Sequence, residues 1–242
     1  MPPTCELTVV LPAYREAESL RQLLPKLKSA ADALTESYEI VVVDASAALD
    51  DTQAVCDTMG VHHIFRHGGN RYGDAVRTGI AESTGRSVLL MDADGSHNPA
   101  EIVSLWRERG KADLIIGSRY APGGHTQNPA VLIFLSFVVN VVYRLAFGLR
   151  VHDVTNSFRL YRGDQIRTLH LDSSDFEIVE EILIRLTFGP THASVIEVPI
   201  TFEKRQAGES KRNLVEFALS YIRSIIRLRR FRRLAIAESK EK

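Results

Sequence analysis

What this sequence has little of narrows it first. It holds two cysteines, Cys5 and Cys56, in 242 residues. They share no CxxC spacing, so neither a structural zinc site nor a disulfide framework is expected. Each reads as a small buried hydrophobe in a reducing, cytoplasmic compartment. Neither sign of charge is in excess: Lys plus Arg and Asp plus Glu number 30 each, for a formal net charge of zero. The overall basic field of a nucleic-acid-binding domain is missing, and no nucleic-acid partner is expected. No basic stretch followed by a long apolar core opens the chain, so no secretory leader is expected. Internal repeats and low-complexity linkers are absent. One long apolar run exists, Val131–Leu149. It has spanning length, but Asn140 and Arg144 inside it are costly in hydrocarbon. A buried or interfacial helix is expected there.

What is present fits a folded domain. Apolar residues make up 45% and charged residues 25%, ordinary values for a soluble protein, and the length suits one large α/β domain. Short β-branched runs alternate with helical periodicity. Strands are expected at 6–12, 39–44, 61–65, 87–91 and 113–116, and helices at 15–34, 53–59, 74–83 and 99–109. Such alternation predicts a mostly parallel, Rossmann-like sheet flanked by helices, with ligands bound beyond the carboxyl ends of its strands. Further on, the pattern predicts a helix over 130–148, a strand near 154–162, a helix near 177–187, a strand over 195–202, a polar loop over 203–212 and a basic helix over 213–233. The simplest partition is one domain over 1–212 with a C-terminal helix and tail over 213–242.

The chemistry-bearing residues follow the strands. Asp92-Ala93-Asp94 ends SVLLM, and two carboxylates at this spacing can converge on a hard cation. Read alone, the same residues also make a turn, which Asp and Gly95 favour. Tyr14 can stack on a base, whereas Glu16 by itself reads as an acid favouring a helix start. Asp44 closes EIVVVD, where it is either a base-binding carboxylate or a capping residue. The loop Gly68–Gly73 is glycine-rich but matches neither GxGxxG nor a P-loop. The loop over 204–212 is cationic and can close over phosphates or remain a solvated face.

Taken in order, PAYREAESL, EIVVVDAS, NRYGDAVRTGI, MDADGSHNP, IIGSRYAPGG, DVTNSFRLYRGD and EVPITFEKRQAGESK resemble glycosyltransferase family 2. The likeness runs from about Val9 to Lys211 and is nearest to the dolichyl- or polyprenyl-phosphate mannosyltransferase branch. The resemblance implies a GT-A fold and inverting transfer of a hexose, mannose from GDP-mannose, from a nucleotide-sugar donor to a polyprenyl phosphate. It implies that Pro12, Ala13, Tyr14, Glu16, Asp44, Asp92 and Ala93 bind the nucleotide. Asp92, Asp94 and Ser96 would bind Mg²⁺ or Mn²⁺. Asp94, Arg119, Arg205 and Lys211 would act in catalysis, and Ser136, Arg159, Glu181 and Ser210 would lie on the acceptor side. The chain departs from the family pattern at Ala45, where a second acid is usual. It departs again at Asn156-Ser157, where the run is usually TSGFR, and after Gly123-Gly124, where basic residues are usual.

Two other readings stand beside this one: a family 2 enzyme using a UDP-sugar or a hydroxyl acceptor, and a nucleotide-sugar-binding subunit without activity. Residues 213–233 place Leu214, Phe217, Tyr221, Ile225 and Leu228 at helical steps among six arginines. Such a helix either lies on an anionic bilayer or docks on the domain. Peripheral attachment at the cytoplasmic membrane face is expected, with or without a membrane partner subunit.

Overall fold

The structure is a computed structural model that describes residues 3–204 and 214–240. The first half alternates as expected: β1 (Cys5–Pro12), α1 (Ala17–Asp32), β2 (Tyr38–Asp44), α2 (Thr52–Met59), β3 (His62–Phe65), α3 (Tyr72–Glu82), β4 (Gly85–Leu90), α4 (Ile102–Glu108) and β5 (Leu114–Ser118). The second half adds β6 (His125–Thr126), α5 (Ala130–Phe147), β7 (Arg159–Arg162), α6 (Gly163–Ile166), α7 (Ile178–Phe188), β8 (Val195–Pro199), β9 (Thr201–Phe202) and α8 (Leu214–Lys240).

Seven strands form one sheet in the order β3-β2-β1-β4-β7-β5-β8, with β6 and β9 pairing separately. Within the large sheet only β7 runs antiparallel, against β4 and β5. The inner strands read as continuous apolar runs because helices cover both faces. Leu7, Val9 and Leu11 of β1 pack with Leu20, Leu24 and Leu27 of α1, Cys56 of α2 and Leu105 of α4 on one side. Val10 packs on the other side with Ala75 and Val76 of α3, Tyr143 of α5, Ile182 of α7 and Leu228 of α8. The strand order reverses beside β1, which has β2 on one side and β4 on the other. A crevice opens at such a switch point, beyond the carboxyl ends of β1 and β4.

Several expectations are corrected. The strand near 154–162 is confined to 159–162, because the residues before it wrap around the buried Asp153, whose Oδ1 accepts from the Asn156 N–H at 3.1 Å. The strand over 195–202 divides into β8 and β9, which belong to different sheets. Cys5 is half-buried, while Cys56 is buried as expected. Helix α5 is not a buried helix: Asn140, Tyr143 and Phe147 are its buried residues, and Val131, Phe134, Phe137, Val138, Val142 and Leu145 are exposed. It is long and apolar enough to cross a membrane by length and composition. Helix α8 extends past the expected end at 233 and docks on the domain through Tyr221, Ser224 and Leu228.

Under α8 lies a buried acid. Glu180 of α7 is fully buried and accepts from the Tyr221 hydroxyl at 3.4 Å. Around it stand Glu177, Arg159 and Tyr161 of β7, and Tyr143 of α5. Burial holds its pKa up to about 8, against the opposing pull of Arg159. The folded chain therefore keeps a proton that the unfolded chain releases near pH ~4.3. Its contribution to stability is complete below that value and is lost as pH rises through about 8. Between pH ~5 and ~8 the melting temperature should fall by at least ~2 °C more in the native chain than in Glu180→Gln, measured by differential scanning calorimetry. Parallel profiles would show that Glu180 is already ionised.

Candidate active site

The paired aspartates sit where the crevice opens. β4 ends at Leu90, Met91 is fully buried, and Asp92-Ala93-Asp94 turn back through Gly95, whose φ of +79° suits a residue without Cβ. Asp92 accepts the Tyr72 hydroxyl on Oδ1 at 3.0 Å and the Ser157 hydroxyl on Oδ2 at 2.9 Å. Its N–H donates to His97 Nδ1 at 3.1 Å. That bond places the ring proton on Nε2, which donates to Asn156 Oδ1 at 3.0 Å. The imidazole is fully buried, stacked on Phe158 and edge-on to Phe202. Burial and the Asp92 charge hold the Tyr72 phenol well above its ordinary pKa, so it stays a donor.

Asp94 accepts on Oδ1 from Ser96 N–H at 3.0 Å and Ser96 Oγ at 2.6 Å. Ser96, expected at the metal, thus stands at the motif as a donor to Asp94 and is itself 1% exposed. Among the described residues no group of three or more His, Cys, Asp and Glu could hold a metal ion. Two carboxylates are suitable oxygen ligands for Mg²⁺ or Mn²⁺, and a bound anion must then supply further oxygens.

On the nucleoside side, Pro12, Ala13, Tyr14 and Glu16 follow β1. Tyr14 is 47% exposed and free to offer a ring face. Arg15 beside it adopts φ +58°, an uncommon left-handed conformation for a non-glycine residue. Glu16 is buried and accepts from Ser19 Oγ at 2.8 Å. Asp44 is 1% exposed, and its Oδ1 accepts from Ala45 N–H at 2.7 Å while Oδ2 pairs with His63 Nε2 at 3.2 Å. The residue that gathers this side is Arg66. Its buried guanidinium donates to the carbonyls of Ala13, Asp44 (2.8 Å), Asn70 (3.4 Å) and Arg71 (3.1 Å), joining the segments after β1, β2 and β3. It also lies 5.8 Å from the Tyr14 ring centroid.

Arg119, expected to act in catalysis, is buried in a fork with Asp153: Nε to Oδ2 at 2.7 Å and Nη2 to Oδ1 at 2.8 Å. Burial opposes the Arg119 charge, yet Asp153 outweighs it and raises the pKa. Burial likewise works against ionising Asp153, and Arg119 holds its carboxyl below the ordinary range. Arg119 Nη2 also reaches Thr155 Oγ1 at 2.6 Å and Ser136 Oγ of α5 at 3.2 Å.

Two of the residues expected on the acceptor side are buried in the scaffold. Arg159 is fully buried and donates to the carbonyls of Asn156, Val179 and Val154 at 2.7, 2.8 and 2.7 Å. It ties β7 to α7. Glu181 is fully buried as well. It accepts from Ser173 N–H and Arg185 Nε at 2.7 Å each, so it braces the turn before α7. Arg205, Ser210 and Lys211 lie outside the described residues. Sequence reading missed Arg66, Tyr72, His97, Asp153 and Ser157. Tyr72, His97, Asp153 and Ser157 fall inside motifs already singled out, but nothing in a linear pattern says that they touch Asp92 or Arg119.

The sheet, its switch point and the paired aspartates after β4 have the arrangement of the GT-A fold. The chain matches the family model "Glycosyl transferase family 2" over residues 8–169, and it belongs to that family. It is 36% identical to the undecaprenyl-phosphate mannosyltransferase of Micrococcus luteus, over 84% of this chain and 85% of that one. It is also 36% identical to the polyprenol monophosphomannose synthase of Mycolicibacterium smegmatis, over 86% and 82%. Its fold is similar to that of Mycobacterium tuberculosis glucosyl-3-phosphoglycerate synthase, solved with Mn²⁺, UDP and product. That alignment has a TM-score of 0.69 at 16% identity and covers 94% of this chain and 80% of that one.

Removing Asp153 would strand a buried guanidinium. Asp153→Ala should lower unfolding free energy by ~3–5 kcal/mol in urea titrations, and adding Arg119→Met should recover part of that loss. A cost for Asp153→Ala of under ~1 kcal/mol would mean that the pair is dispensable to the fold.

Proposed function

We propose that this glycosyltransferase transfers a hexose, mannose from GDP-mannose, to a polyprenyl phosphate at the cytoplasmic membrane face. The observation that carries the acceptor is α5. An exposed apolar helix reaches the crevice through Ser136, whose hydroxyl bonds Thr155 at 3.0 Å and Arg119 at 3.2 Å. A lipid acceptor can thus approach along this helix. The names of the two mannosyltransferase relatives support the same reading.

In this reading Tyr14 stacks on the base, with Pro12, Ala13, Glu16 and Asp44 around the nucleoside. Asp92 and Asp94 would hold Mg²⁺ or Mn²⁺, which would supply positive charge to offset that of the leaving diphosphate. The acceptor phosphate is already ionised at neutral pH, so no strong general base is needed. Its oxygen attacks the anomeric carbon from the face opposite the diphosphate. The carbon–oxygen bond to the diphosphate breaks, the electron pair leaves with the nucleotide, and the configuration inverts. Arg205, Ser210 and Lys211 are assigned to steady the phosphates. Arg119, fixed by Asp153, contributes a positive charge at the floor of the crevice.

Radiolabelled GDP- and UDP-sugars, polyprenyl phosphate, Mg²⁺ or Mn²⁺ and detergent test the reaction. Labelled lipid released by mild acid is expected with GDP-mannose, and EDTA or Asp94→Ala should abolish it. Transfer only to a soluble hydroxyl acceptor would overturn the acceptor, and EDTA-resistant transfer would overturn the metal. The membrane reading also draws on α8, which exposes Ile222, Ile226 and Leu234 beside Arg223, Arg229, Arg230 and Arg233. Each basic residue near an anionic surface is worth ~1 kcal/mol. Because α8 covers part of the core, surface substitutions are a better test than deletion. Combining Phe134→Ser and Phe137→Ser should weaken flotation with anionic liposomes at least ~10-fold. Undiminished binding would remove α5 from the contact.

A further inference from the structure

We propose that Tyr72 and Ser157 are positioning residues that fix the Asp92 carboxylate toward its metal and diphosphate, an inference that rests on the metal reading above. An ionised carboxylate only accepts, and it has about four lone-pair positions. Two are taken in Asp92, one on each oxygen, by hydroxyls from different parts of the fold: the first turn of α3 and the loop between Asp153 and β7. A single bond would leave the carboxylate free to rotate. Two bonds to separate elements set its plane and leave the remaining positions for ligands.

The donors are themselves held. The Tyr72 ring stacks on Phe176 with centroids 4.5 Å apart and planes 18° from parallel. Next to it, Gly73 donates its N–H to Ser174 O at 2.9 Å. A Cβ on Gly73 would come within 2.5 Å of Ser173 O, so the backbone there is closely braced. Ser157 stands between the buried Asn156 and Phe158 and is itself 7% exposed. The Asp92 N–H is fixed from a third direction by His97. Asp94 in turn accepts from Ser96 Oγ at 2.6 Å. The first carboxylate of the motif is therefore placed by tertiary structure. Hydrogen-bond partners that orient a ligating group are commonly worth ~10–100-fold in metal affinity.

The test uses the full chain with Ser157→Ala, Ser157→Thr, Tyr72→Phe and the double variant Tyr72→Phe/Ser157→Ala. Mn²⁺ binding is followed by electron paramagnetic resonance with saturating GDP or UDP, and nucleotide binding is measured separately without metal. Ser157→Ala and Tyr72→Phe should each weaken Mn²⁺ by ~10–100-fold in the nucleotide complex. Metal-free nucleotide affinity should be unchanged, and threonine at 157 should restore most of the metal affinity. The double variant should lose less than the product of the single losses, because one lost bond already frees the carboxylate. Phenylalanine preserves the stack on Phe176, so Tyr72→Phe remains informative if Ser157→Ala destabilises the fold. Native Mn²⁺ affinity in both single variants would overturn the positioning role while leaving the metal site standing. Failure of the native chain to bind Mn²⁺ with either nucleotide would overturn the metal reading itself, and this inference with it.

Discussion

The buried ion pair between Asp153 and Arg119 governs the carboxyl end of the sheet. A carboxylate without solvent must be met by donors, and those donors come from the segments that build the crevice. Arg119 arrives from the end of β5, while Thr155 and Asn156 arrive from the loop that Asp153 itself begins. From Asn156 the bonding continues to His97 and then to the backbone of Asp92. Through Arg119 it continues to Ser136 of α5. One buried charge thus connects the paired aspartates to the exposed apolar helix.

A second guanidinium performs comparable work on the nucleoside side. Arg66 bonds four backbone carbonyls, and a flat fork with five donors is suited to that task where a lysine is not. Arg159 repeats the device beneath the crevice, with three carbonyls. These arginines shape the loops. Three parallel strands end close together on this side, and their carbonyls need donors that the sheet no longer supplies.

The outer surface carries a different chemistry. α5 has a polar foothold, Ser136 and Asn140, and a broad apolar face turned outward. α8 covers the acid Glu180 on one face and presents arginines with isoleucines on the other. The same two helices therefore seal the core on one face and expose apolar side chains on the other. Burial of α8 on the domain and contact with lipid need not compete, because they use opposite faces of the helix.

The amino-acid sequence by itself determined the α/β alternation, the parallel sheet and the placing of Asp44, Asp92 and Asp94 at strand ends. Hydrophobic period and strand-end chemistry are local, and a linear pattern records them. It also determined the family, through motifs that are contiguous in the chain. Tertiary structure alone decided which face of α5 is exposed and where residues 195–202 divide between two sheets. It decided that Arg159 and Glu181, both within recognisable motifs, are consumed by the scaffold. It brought Tyr72 and Ser157 to opposite oxygens of Asp92, although they lie 20 and 65 positions away in the chain. The reason is physical. A polar side chain takes its role from the partner that removes it from water, and that partner here is set by packing across the sheet rather than by neighbours in sequence.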